Sequence, residues 1–168
     1  VRKKIKMPVP KIINEVLEKD CHHFGITKEK LCNEVILKMG YKPLIKYHKM
    51  MTFEEKVDLQ FNLQVETQKY YKDIWKENNA TSDAELVRTI LSTYINLSPF
   101  LREKIIMDTK LRFILELLRE KHIVKIEVDG KIIEAELMEI LRCSETNYLK
   151  VIHSQGEEYL SKLEIIRK

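Results

Sequence analysis

Leu59-Gln60-Phe61-Asn62-Leu63-Gln64-Val65 alternates apolar and polar residues without a break. Successive side chains of an extended strand point to opposite faces, so Leu59, Phe61, Leu63 and Val65 share one side and Gln60, Asn62 and Gln64 the other. The pattern predicts a strand with one face to bury and three short hydrogen-bonding groups on the opposite face. An earlier stretch, Arg2-Lys3-Lys4-Ile5-Lys6-Met7-Pro8, sets Arg2, Lys4 and Lys6 on one side, with Ile5 and Met7 among those on the other. Both stretches run into paired helices.

After the first stretch, Ile12, Ile13, Val16 and Leu17 recur at helical spacing as far as Phe24, and Gly25 breaks the run. Thr27 is a suitable N-cap for a second helix carrying Leu31, Val35, Ile36 and Met39, which ends near Gly40 and before Pro43. The order then repeats. Tyr70, Tyr71, Ile74 and Trp75 mark one helix, Glu77-Asn78-Asn79-Ala80 a polar turn, and Leu86, Val87, Ile90, Leu91 and Tyr94 the next helix. Ser82-Asp83-Ala84-Glu85 reads as a capping box, in which Ser82 and Glu85 each satisfy a backbone N–H of the first turn. The helix pairs align at a spacing of roughly 54 to 58 residues, the mark of a divergent internal duplication.

From Ser98-Pro99 a third helical segment carries Leu111, Ile114, Leu115 and Leu118 and ends near His122. Ile123 to Val128 alternates, Asp129-Gly130 is a strong hairpin turn, and Lys131 to Leu141 returns as a long strand. Asn147 to Ile152 follows, then a turn near Gly156 and strand character in Glu158-Tyr159-Leu160 and Glu164-Ile165-Ile166. A helix with four or five short strands predicts a small SH3- or Sm-like β-barrel.

The 168 residues, 44% of them apolar, suffice for one large domain or for two to three small ones with real cores. No apolar run approaches the roughly 20 residues that span a bilayer, and no stretch reads as a signal peptide, so a cytoplasmic location without membrane partners is expected. Cys21, Cys32 and Cys143 are odd in number and lack a CxxC spacing, which fits a reducing compartment. Charge is uneven. Residues 1–50 carry 12 Lys and Arg against 5 Asp and Glu, residues 51–98 carry 5 against 8, and residues 99–168 carry 13 against 13. A positive N-terminal third points to a polyanionic partner approached by that region, although a Lys-rich solvated surface has the same composition.

A short alternating strand followed by two helices, with a Gly or Asn turn and a Ser or Thr cap between them, resembles the ribbon-helix-helix (Arc/MetJ-like) DNA-binding family. Gln60-Phe61-Asn62-Leu63 is especially similar to that family's strand. The resemblance covers residues 1–40 and 57–97, joined by a linker at 41–56, and implies an intramolecular pseudo-dimer in which the two strands pair. The linker can span up to about 55 Å when extended, so the pairing is feasible within one chain. It further implies that Arg2, Lys4, Lys6, Gln60, Asn62 and Gln64 contact bases in the major groove of double-stranded DNA. Thr27, Lys28, Thr81 and Ser82, at the N-termini of the second helices, would hold phosphates. The alternative for the strands is that their polar residues simply face water and guard an edge. The Ser and Thr caps have a plain reading too, as helix caps alone.

Beyond the connecting helix at 98–122, the tail resembles a shortened WYL domain, a Sm-like barrel assigned to 123–168. Tyr148-Leu149 match the last two letters of that name, Asn147 stands where Trp is usual, and Leu163-Glu164-Ile165-Ile166 lies near the family's closing segment without its Arg. The expected fold class is thus α+β, two ribbon-helix-helix units followed by a helix and a small SH3/Sm-like barrel. The function expected is a sequence-specific DNA-binding regulator, most simply a repressor, of prokaryotic or phage type. A WYL-type CRISPR or phage accessory protein that binds single-stranded RNA or a protein through the barrel is the main alternative, and an antitoxin the second. A homodimer is also admissible. No cofactor and no enzymatic activity are expected. Cys21, His22, His23 and Cys32 do not share a helix face as a metal cluster needs, Cys143 and His153 are isolated, Glu134 and Glu136 read as a solvated strand face, and no Gly-rich phosphate loop is present.

Overall fold

The computed structural model describes residues 1–42, 44, 55–121, 123–128, 130–142, 147–153, 156–160 and 165–167. The chain divides into two compact units, Val1–Leu97 and Ser98–Lys168. Among the described residues it is α+β, with six helices and two antiparallel sheets.

The first unit is built on a two-stranded ribbon. Strand β1 (Lys4–Pro10) buries Ile5, Met7 and Val9 and exposes Lys4, Lys6 and Pro8. It pairs antiparallel with β2 (Lys56–Asn62), which sets Ile5 opposite Phe61 and Met7 opposite Leu59. The ladder continues past both ends. The Leu63 amide donates to the Lys3 carbonyl and the Lys11 amide to the Glu55 carbonyl, each at 2.8 Å.

Each strand feeds a pair of helices, α1 (Lys11–Phe24) and α2 (Lys28–Met39) after β1, α3 (Val65–Glu77) and α4 (Asp83–Ile95) after β2. Gly25, at φ 66°, supplies the left-handed residue that ends α1. The stripes Leu31, Val35 and Ile36 of α2 and Leu86, Ile90 and Leu91 of α4 are fully buried with the apolar ribbon face. Each such side chain contributes about 1.5–3 kcal/mol on leaving water. The Tyr94 hydroxyl of α4 donates to Asp20 of α1 at 2.5 Å in the interior. Gly40 closes α2 where a Cβ would stand 2.6 Å from the Ile36 carbonyl oxygen and 2.8 Å from Ile74 Cγ2, so only glycine admits α3 at this distance.

The second unit has two helices, α5 (Pro99–Ile106) and α6 (Asp108–Glu120), and five strands. These are β3 (Ile123–Val128), β4 (Lys131–Arg142), β5 (Asn147–His153), β6 (Gly156–Leu160) and β7 (Ile165–Arg167), ordered β6-β5-β4-β3-β7. Val128 pairs with Lys131, with Gly130 at φ 75° before the return strand, while Asp129 of the expected turn lies outside the described residues. Leu111, Ile114 and Leu117 of α6 bury against Val124, Ile126, Ala135 and Leu137 of the sheet.

The expected fold class is corrected on three points. No closed barrel forms among the described residues, because β6 and β7 remain the two edges of an open sheet. One connecting helix at 98–122 is replaced by two, since the chain turns at Met107 before α6 begins. The N-terminal strands do not lie where two ribbon-helix-helix units were expected to place them. They run over Lys4–Pro10 and Lys56–Asn62, two residues later and three earlier than the stretches that suggested them. Val65, expected on the buried side, is the first residue of α3 and 73% exposed. His122, Cys143, Leu163, Glu164 and most of the 41–56 linker lie outside the described residues.

Candidate nucleic-acid interface

Alternation and register together place Lys4, Lys6, Pro8, Asp58, Gln60 and Asn62 on the outer face of the β1–β2 ribbon. Lys4 stands opposite Asn62, Lys6 opposite Gln60 and Pro8 opposite Asp58. Among the described residues Lys4, Lys6 and Lys56 make no ion pair, whereas Arg2, Lys3 and Lys11 do. Arg2 reaches Glu29 at 3.9 Å, Lys3 reaches Asp83 at 3.0 Å, and Lys11 reaches Glu55 at 3.4 Å. Two of the ammonium groups without an ion pair, Lys4 and Lys6, thus stand directly across from two amide side chains, a set suited to phosphate or base-edge acceptors.

Two expected base-contacting residues lie off this face. Arg2 precedes β1 in the arm that Gln68 holds, its side chain accepting from the Lys3 amide at 2.9 Å and donating to the Val1 carbonyl at 3.3 Å. Gln64 is the N-cap residue of α3, and its amide donates to Asn33 Oδ1 at 2.7 Å. Lys56 and Asp58 were missed, although the alternation Lys56-Val57-Asp58-Leu59 extends the quoted stretch toward the N-terminus and could have found them.

The helix N-termini are engaged by their own side chains. Thr27 Oγ1 accepts from the Lys30 amide at 3.1 Å, and Lys28 Nζ donates to Asn14 at 2.8 Å and Glu18 at 3.1 Å. The bond from Lys28, then one from Asn14 Nδ2 at 3.1 Å and the Lys28 charge, hold the Glu18 carboxyl below its ordinary range. At α4, Ser82 Oγ accepts from the Glu85 amide, while Glu85 accepts from the Thr81 amide and hydroxyl rather than from Ser82. Asp83 adds a second carboxylate at that end. Thr27 and Lys28 are thus engaged with the first turn of α2 and with α1, and Thr81 and Ser82 sit beside two negative charges.

Elsewhere, no group of three or more His, Cys, Asp or Glu side chains could hold a metal ion among the described residues. Cys32 is fully buried, and burial pushes its thiol up to about 12. The second unit has a groove of about 460 Å3 between its helices and β4, lined by Phe100, Leu111, Leu115, Leu118, Met138 and Ile140 with Lys104, Asp108, Arg112 and Glu139. Its two cations are balanced by two carboxylates, and Arg112 pairs with Asp108 at 3.4 Å. No described helix is long and apolar enough to cross a membrane.

No family model and no curated protein matches the chain, so neither the ribbon-helix-helix nor the WYL likeness gains support from family comparison. Among solved structures it is similar to one titled "Crystal structure of a CRISPR Cas-related protein", at 11% identity and a TM-score of 0.64. The match covers 100% of this chain but 62% of that one, so this chain spans under two thirds of its neighbour's length. At that identity the likeness is one of fold.

Proposed function

We propose that the chain is a nucleic-acid-binding protein, not an enzyme, that lays its β1–β2 ribbon in the major groove of duplex DNA as a sequence-specific regulator, most simply a repressor. The observation that carries this reading is the outer face itself, where Lys4 and Lys6, without an ion pair among the described residues, stand directly across from Asn62 and Gln60. A two-stranded ribbon fits the major groove, Lys favours the guanine O6 and N7 acceptors, and Asn or Gln suits adenine. A second reading is favoured by the structural neighbour: a CRISPR-associated accessory protein that binds single-stranded RNA or a protein partner. The apolar, charge-balanced groove of the second unit suits a protein there better than RNA.

Fluorescence anisotropy of the full chain, with duplex DNA and with single-stranded RNA over a salt series, separates the two. The duplex reading expects duplex binding to fall with salt by about 0.9 in log K against log salt for each phosphate the chain neutralises, and Lys4→Ala and Lys6→Ala each to weaken it and relax base preference at one position. Tighter RNA binding that neither substitution changes would instead establish the accessory role.

A further inference from the structure

The two halves of the ribbon are related by an approximate two-fold axis that can be located from register. Residues 54 positions apart take equivalent places, since Ile5, Met7 and Val9 bury as Leu59, Phe61 and Leu63 do, and Lys11 opens α1 as Val65 opens α3. Strand pairing sets Lys4 against Asn62, Lys6 against Gln60 and Pro8 against Asp58. Only Lys6 and Gln60 are both paired and equivalent, so the axis passes between them. Lys4 with Asn62 then occupies one end of the outer face, and Pro8 with Asp58 the matching place at the other.

We infer that the DNA element read by one ribbon lacks internal two-fold symmetry, because these two ends carry opposite chemistry. Lys4 offers donors alone, which suit guanine, and Asn62 a donor beside an acceptor, which suits adenine. Pro8 offers none from its side chain, and Asp58 offers acceptors alone, which suit the amino group of cytosine and repel phosphate. Beyond these pairs Lys56, opposite Pro10, ends β2 on the outer face, whereas its equivalent Arg2 precedes β1 and pairs with Glu29, so the outermost positions do not restore the symmetry. At about 3.3 Å per residue the ends are roughly 13 Å apart, about four base-pair steps along the groove. The inference rests on the duplex reading and adds which end of the element each residue specifies.

Selection of bound sequences from random duplexes, with the full chain and with Lys4→Ala and Asp58→Asn, tests it. Both residues are exposed, so neither change disturbs the core. The expected element differs from its own reverse complement, even where a dimer of the chain places two copies of it in inverted arrangement. Asp58→Asn should erase a cytosine preference at one end and tighten binding several-fold, while Lys4→Ala should relax the other end with about a tenfold loss. An element identical to its reverse complement, or two variants that alter the same base pair, would overturn the inference and leave duplex binding intact. No enrichment of any duplex would sink both.

Discussion

Asp83 shows how a residue at a promising helix terminus is committed to the fold. Its Oδ1 accepts from the Tyr71 hydroxyl at 2.7 Å and the Trp75 indole at 3.2 Å, while Oδ2 meets the Lys3 ammonium at 3.0 Å. Burial raises its pKa, but the bonds from Tyr71, Lys3 and Trp75, with the charge of Lys3, outweigh it and hold the carboxyl below its ordinary 3.8. Burial and the same bond push the Tyr71 phenol up, so it stays a neutral donor. A carboxyl whose folded pKa is depressed stabilises fully above its unfolded value and loses that contribution as pH falls through the folded one. Solvent reaches 36% of the side chain, so the loss in Asp83→Asn at neutral pH should be only about 1 kcal/mol. Urea midpoints measured from about pH 6 down to about pH 2 should fall more steeply in the wild type than in Asp83→Asn. Parallel curves would remove Asp83 from the acid-sensitive groups. Ser82 was readable as a cap from its own neighbourhood, but Lys3 lies 80 positions from Asp83, and local sequence carries no trace of that pairing.

Between elements, the junction of β2 and α3 explains both why the strand ends and why the sequence misplaced its end. Asn33 of α2, fully buried, donates to the Glu29 carbonyl at 2.8 Å and the Asn62 carbonyl at 2.9 Å, and accepts from the Gln64 amide at 2.7 Å. One side chain thus stands in for the next ladder partner. Gln64 keeps extended backbone angles, φ −71° and ψ 158°, as N-cap residues do, while its carbonyl already accepts from the Gln68 amide. Alternation follows backbone extension, so it ran on through Gln64 to Val65, although the hydrogen bonding had already changed from sheet to helix. The same pattern located the apolar face, Ile5, Met7, Leu59 and Phe61, because burial on a strand is strictly periodic. Asn33→Ala leaves the part-buried Asn62 carbonyl and Gln64 amide without their partner, and should cost about 2 kcal/mol in urea unfolding at unchanged m. A loss below about 0.5 kcal/mol would mean that the clamp is dispensable.

At the scale of the whole chain, closure of the second sheet is the feature that local pattern could not supply. The strands left a trace in the sequence, one as an alternating run, one as a long return and the others as strand character between turns, but whether β6 and β7 meet depends on twist, on the bulges where β4 pairs with β5 and β3 with β7, and on where the helices cover the sheet. The division at Leu97 and Ser98 has a local cause that sequence does carry, since Ser98 caps α5 and Pro99 opens it. Each unit has its own interior. In the first, the ribbon face is covered by α2 and α4, and its outer lysines belong to the same 97 residues. A fragment of residues 1–97 should therefore fold alone with one cooperative urea transition, near the size at which an isolated domain buries enough surface to be stable. If the ribbon face is the nucleic-acid interface, that fragment should also keep the duplex affinity and salt slope of the full chain within about threefold. Anisotropy and urea titration on both proteins measure this directly. A fragment that folds cooperatively yet loses duplex binding would move the interface to the second unit and end the assignment to Lys4 and Lys6.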